Sequence, residues 1–90
     1  MPSYLVEMFL PRGAAGERET LDRRARSAAE AMTREGTRVA FAGSIHVPGD
    51  EICFFTFVAA TGREALLVAQ RAGLQPLRVV EAIPSGKVAP

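Results

Sequence analysis

The chain has no tryptophan, one tyrosine, one histidine, one lysine and one cysteine among its 90 residues. Cys53 alone cannot close an internal disulfide, which excludes a disulfide-stapled scaffold. No apolar run approaches the roughly 20 residues needed to span a bilayer, and the first residues lack a signal-peptide pattern. The expected location is therefore the cytosol, with no membrane partner. An excess of one charge is missing too: eleven basic side chains offset ten acidic ones, for a net charge of +1. That balance argues against a nucleic-acid partner held by phosphate attraction. No phosphate-cradling glycine loop, CxxC, HExxH or GxSxG pattern occurs, and Gly13-Ala14-Ala15-Gly16 is too loose to serve as one.

What is present is an ordinary globular composition, 48% hydrophobic and 23% charged. The length allows one domain, read as residues 1–84 with a flexible tail over 85–90. A domain this small buries only about 60–65% of its unfolded surface, so association would help it. Ten arginines against one lysine, with fifteen alanines, read as the codon bias of a GC-rich bacterial genome.

The segments alternate clearly. Tyr4 to Leu10 is rich in strand formers and stops at Pro11-Arg12-Gly13. Leu21, Ala25, Ala28 and Met32 form one helical stripe between Glu17 and Glu35, and Gly36 follows as a C-terminal stop. Thr37–Val47 and Glu51–Val58 read as strands joined through Pro48-Gly49-Asp50, a hairpin. Thr61 and Glu64 have capping-box spacing, and Ala65, Leu66, Ala69 and Ala72 form the buried stripe of the helix they open. Gly73 ends that helix, and Leu77–Ile83 makes a last strand. The order β-α-β-β-α-β predicts an α+β, ferredoxin-like fold: a four-stranded antiparallel sheet in the order 4-1-3-2 with both helices on one face. A meander with the second helix packed elsewhere is the alternative.

Such a fold leaves one sheet face uncovered, and alternation assigns it. Leu5, Glu7 and Phe9 are expected to face outward from the first strand, and Ile52, Phe54 and Thr56 from the third. The second strand would offer Ala42, Ser44 and His46, and the last Val79, Glu81 and Ile83. An apolar face of this size calls for a partner, and two such sheets facing each other would form a dimeric α/β barrel. The expected partners are a second copy and a small molecule or metal ion held in the enclosed space. Glu7, Ser44, His46, Thr56 and Glu81 are the candidate ligand-binding residues. Glu7 and Glu81, on neighbouring strands, would repel each other and raise one carboxyl pKa. Arg78 or Arg38 could instead pair with Glu7. Cys53 reads as a small core side chain.

Four stretches carry a family resemblance: Tyr4-Leu5-Val6-Glu7, Val39-Ala40-Phe41-Ala42-Gly43-Ser44, Cys53-Phe54-Phe55 and Ala72-Gly73-Leu74-Gln75-Pro76. With these the chain resembles a bacterial family of small ferredoxin-like proteins of unknown function that includes a dimeric nickel-binding protein. The resemblance spans about Tyr4 to Ile83. It implies roles for Glu7 as the family's first-strand glutamate, Ser44 as its second-strand serine and Cys53 as its third-strand cysteine. Phe41 stands where many members have tryptophan. Thr56 stands where glutamate is common, which removes one carboxylate. A nickel site usually draws on several imidazoles, and this chain has one.

These readings lead to three expectations. The first is a dimeric binder whose open-face groups hold a small ligand or a divalent metal, nickel or zinc, with Glu7, His46 and Glu81 as metal ligands. The second is a cofactor-independent isomerase, cyclase or oxygenase in which Glu7 or His46 moves a proton on an apolar molecule. The third is a regulatory subunit without a site of its own.

Overall fold

The computed structural model describes residues 1–85. The flexible tail expected at 85–90 lies, beyond Ser85, outside the described residues. Seven elements follow in order: β1 (Ser3–Phe9), a 3₁₀ turn (Arg12–Glu17), α1 (Arg18–Arg34), β2 (Val39–Val47), β3 (Ile52–Ala59), α2 (Gly62–Arg71) and β4 (Arg78–Ala82). The strands form one antiparallel sheet in the order β2-β3-β1-β4. Read from the other edge this is 4-1-3-2, as the element order predicts. Both helices pack on one side of the sheet and on each other, which sets aside the meander.

The local signals explain the elements. Leu21, Ala25, Ala28 and Met32 are all buried, with Ala29 beside them. Gly36 sits past the end of α1 at φ +105°, the left-handed geometry that a helix C-terminus favours and glycine adopts freely. The Glu64 N–H donates to Thr61 Oγ1 at 3.1 Å, satisfying one of the free donors at the start of α2. Beneath α2, Ala65, Val68 and Ala69 are fully buried, whereas Leu66 is only half-buried. Small residues let both helices approach the sheet closely, where Phe55, Phe57, Val6 and Cys53 are shut off from solvent. Burying each large side chain is worth about 1.5–3 kcal/mol.

Two strands depart from strict alternation. In β2, Phe41 lies opposite Phe57, yet Gly43 lies opposite Thr56, so Ala42 is an extra residue and the strand bulges there. Gly43 adopts φ +117°, which side-chain-bearing residues avoid. Past the bulge every side chain changes face. Ser44 lies opposite Phe55 and His46 opposite Cys53, both core residues, so Ser44 and His46 turn toward the helices. The outward positions expected for them belong instead to Ile45 and Val47, opposite Phe54 and Ile52. In β4, Val79 lies opposite Val6 and packs on the core, while Arg78, Val80 and Ala82 lie opposite Glu7, Leu5 and Ser3 and share their outward face. Glu81 lies opposite Tyr4, which packs against the core, so Glu81 is on the helix side. Ile83 falls beyond the strand. Adjacent valines at 79 and 80 make either phase of β4 equally apolar, and only pairing with β1 settles it.

Candidate functional site

The uncovered sheet face is built from four strands in three pairing registers. β1 contributes Leu5, Glu7 and Phe9, and β3 contributes Ile52, Phe54, Thr56 and Val58. β2 adds Ile45 and Val47, and β4 adds Arg78, Val80 and Ala82. The phase changes in β2 and β4 make this face more apolar than alternation alone predicts, because Ser44, His46 and Glu81 leave it. Phe9 is 55% exposed and Ile45 60% exposed, a large apolar exposure for one small chain.

Three polar groups lie on it, two on the inner strands and one on the edge strand β4. Glu7 extends from β1, the inner strand beside β4, and Arg78 stands directly opposite on β4. The Arg78 Nε–H donates to Glu7 Oε1 at 2.8 Å. The Glu7 side chain is only 20% exposed, packed among apolar neighbours, while that of Arg78 is 66% exposed at the sheet edge. The partner expected for Glu7 from the sequence is thus Arg78. Thr56 lies opposite Leu5 on the same face and supplies a hydroxyl. This arrangement can hold an apolar molecule by contact area and orient it through a carboxylate, a guanidinium and a hydroxyl.

The other expected site residues lie elsewhere. Glu81 is on the opposite face from Glu7, so the two carboxylates do not form the like-charged pair that alternation suggests. The His46 ring places Nε2 2.9 Å from the Leu10 carbonyl oxygen, which ties β2 to the end of β1. Ser44 is held by α1: Arg18 Nε–H donates to its Oγ at 2.9 Å and Arg18 Nη2–H to its carbonyl oxygen at 2.7 Å. Cys53 is fully buried next to them, and burial pushes its thiol pKa up despite the opposing pull of the Arg18 charge. A thiol so held is a poor nucleophile and a poor ligand. In the same region Asp22 Oδ1 is buried without a hydrogen-bond partner among the described residues.

The set Glu7, His46 and Glu81 is therefore not brought together within one chain. Among the described residues no group of three or more His, Cys, Asp or Glu side chains could hold a metal ion. Reading by alternation missed Ile45, Val47 and Val80. The Ala42-Gly43 pair inside a strand was the available signal for β2, since glycine within a strand often marks a bulge.

No family model matches the chain, and no curated protein matches it either. Among solved structures the fold is similar to that of SCO4226 from Streptomyces coelicolor A3(2), with a TM-score of 0.67 and 15% sequence identity. The likeness covers 93% of this chain and 99% of the Streptomyces chain. At that identity it shows the shared fold. No helix among the described residues is long and apolar enough to cross a membrane.

Proposed function

We propose that the chain acts as a homodimeric small-molecule-binding protein. Two copies would pair their open sheet faces, and the space between the sheets would take the ligand. The observation that carries this reading is the composition of that face: a largely apolar surface that also carries the Glu7–Arg78 pair, reaching from β1 to the edge strand, and Thr56. Four strands about 4.8 Å apart, with five to nine residues each, give a face of roughly 19 by 23 Å. That flat footprint of about 440 Å² is roughly half of the about 800 Å² per partner that specific interfaces bury, the rest falling to side-chain relief and the face's rim. The polar groups would then lie in a desolvated cavity, where each hydrogen bond to a ligand counts for more than at an open surface.

An organic ligand fits this face better than a metal ion, because Glu7 is the one expected metal ligand that remains on it. Nickel or zinc bound there would have to draw on Glu7 from both copies. The isomerase or oxygenase reading needs Glu7 free to move a proton. Its carboxylate is instead engaged by Arg78, which favours binding over turnover.

Native mass spectrometry of tag-free protein tests the proposal. The expected result is a dimer that carries an additional small mass released on denaturation, with that mass lost in Glu7→Gln. A dimer that neither carries nor takes up any apolar compound, in a screen that Glu7→Gln does not alter, would contradict the binding role.

A further inference from the structure

A second concavity lies away from the centre of the open face, where α2 crosses the edge strand β4. It is an open groove of about 680 Å³ lined by Tyr4, Leu66, Leu67, Pro76, Leu77 and Val79, together with Gly62, Arg63 and Arg78. That volume lies within the roughly 300–1,000 Å³ usual for small-molecule sites. Two of its leucines are strongly exposed, Leu67 at 47% and Leu77 at 62%. Leu67 and Leu77, exposed beyond what the core requires, converge with Leu66 and Val79 on one groove, which points to an apolar occupant.

Both charged side chains that line the groove are arginines, and one of them, Arg78, is already paired with Glu7. No carboxylate lines the groove. Arg63 has no carboxylate within 4 Å among the described residues, unlike Arg23, Arg71 and Arg78. Arg78 engages Glu7 through Nε, on the far side of the strand, and its two Nη groups make no hydrogen bond to a described residue. Gly62 and Arg63 open α2, so the positive end of a ten-residue helix adds to the same field.

We propose that this groove binds a small apolar carboxylate, an aliphatic or aromatic acid, with its hydrocarbon body on Leu66, Leu67, Leu77 and Val79. The carboxylate is held by Arg63, with Arg78 as the second donor. A guanidinium donates to a carboxylate through paired N–H groups, which a neutral alcohol cannot match. The apolar wall of this site lies off the proposed sheet-to-sheet dimer face, and Arg78 is the one residue the two share.

The test is a titration of ¹⁵N-labelled protein with decanoate, read as amide shift changes, with decanol as the uncharged comparison. The expected result is saturable shifts grouped over Arg63–Leu67 and Leu77–Val79, with a Kd of about 1 mM or tighter, which is what good contacts give a ligand of this size. Decanol binds about fivefold more weakly, and Arg63→Gln weakens decanoate by a similar factor, the scale of an exposed ion pair. Leu67→Asp, at an exposed position that leaves the core intact, removes the binding while the amide spectrum stays that of the folded protein. Saturable shifts confined to Leu5, Phe54 and Thr56, or none at all, would overturn the proposal. Equal binding of decanol and decanoate would overturn the assignment of Arg63 as the anion holder.

Discussion

Arg78 and Glu7 stand opposite each other on neighbouring strands, and the Arg78 guanidinium donates to the Glu7 carboxylate at 2.8 Å on a face whose other residues are mostly apolar. A carboxylate packed among Leu5, Phe9 and Phe54 is costly without such a partner. The arginine is two-thirds exposed, so solvent screens much of the attraction. A double-mutant cycle of Glu7→Gln and Arg78→Ala, followed by urea unfolding, is expected to give a coupling of about 0.5–1 kcal/mol. Arg78→Ala alone costs about 1 kcal/mol because it leaves the carboxylate unpaired. A coupling indistinguishable from zero would mean that the pair does not organise this face.

The bulge at Ala42 decides which side chains of β2 reach which face. Its geometry depends on Gly43 at φ +117°. Gly43→Ala has free space for its methyl group, since nothing lies within 4 Å of the Cβ position, so its cost is purely conformational. We expect a loss of about 1–3 kcal/mol in unfolding free energy. A neutral outcome would show that the strand can be re-registered, with Ser44 and His46 free to change face.

His46 and Glu7 lie on opposite sides of the sheet, and the imidazole is engaged with the Leu10 carbonyl. Calorimetric titration with Ni²⁺ or Zn²⁺ is therefore expected to give the same response for His46→Ala as for the unaltered chain. The substitution shows itself in stability, by about 1 kcal/mol for the lost hydrogen bond. Metal binding abolished by His46→Ala, with the fold intact, would place the imidazole in a site after all.

Burial raises the Cys53 thiol pKa, and the sign of the resulting pH dependence follows. Below the ordinary thiol value of about 8.5 the folded and unfolded chains both keep the proton. Above it the unfolded chain loses the proton while the folded chain retains it, so stability falls until the raised value is passed. The slope contributed by this group reaches at most about 1.4 kcal/mol per pH unit. Urea midpoints measured from pH 7 to 10 for the unaltered chain and for Cys53→Ala should diverge in slope only on the alkaline side. Parallel curves would show that the thiol is not held neutral by its surroundings.

The helices were readable from the residues because each carries a periodic small-residue stripe and a glycine stop, at Gly36 and Gly73, and α2 has its cap at Thr61. The strand order followed from the element order, since β-α-β-β-α-β has few ways to close with both helices on one side. The faces of β1 and β3 also followed, because Val6, Met8, Phe55 and Phe57 alternate strictly with outward neighbours. β2 and β4 were not readable in the same way. A bulge adds one residue and reverses the face of everything after it, and period two carries no warning beyond the glycine itself. The neighbouring Val79 and Val80 left β4 without a preferred phase. The candidate site changed accordingly: Glu7 and Thr56 stayed on the open face, Ser44, His46 and Glu81 left it, and Arg78 joined it. The groove between α2 and β4 depends on packing between segments distant in sequence and had no local signature.

The central claim is that a second copy covers the open sheet face, and sedimentation velocity at micromolar concentration tests it most directly. The account predicts a species of about 19 kDa, twice the 9.6 kDa chain. It also predicts that Ile45→Asp, a change at a position 60% exposed in the single chain, converts that species to a folded monomer. A particle of one chain's mass across the concentration range, or a dimer that Ile45→Asp leaves unchanged, would contradict it.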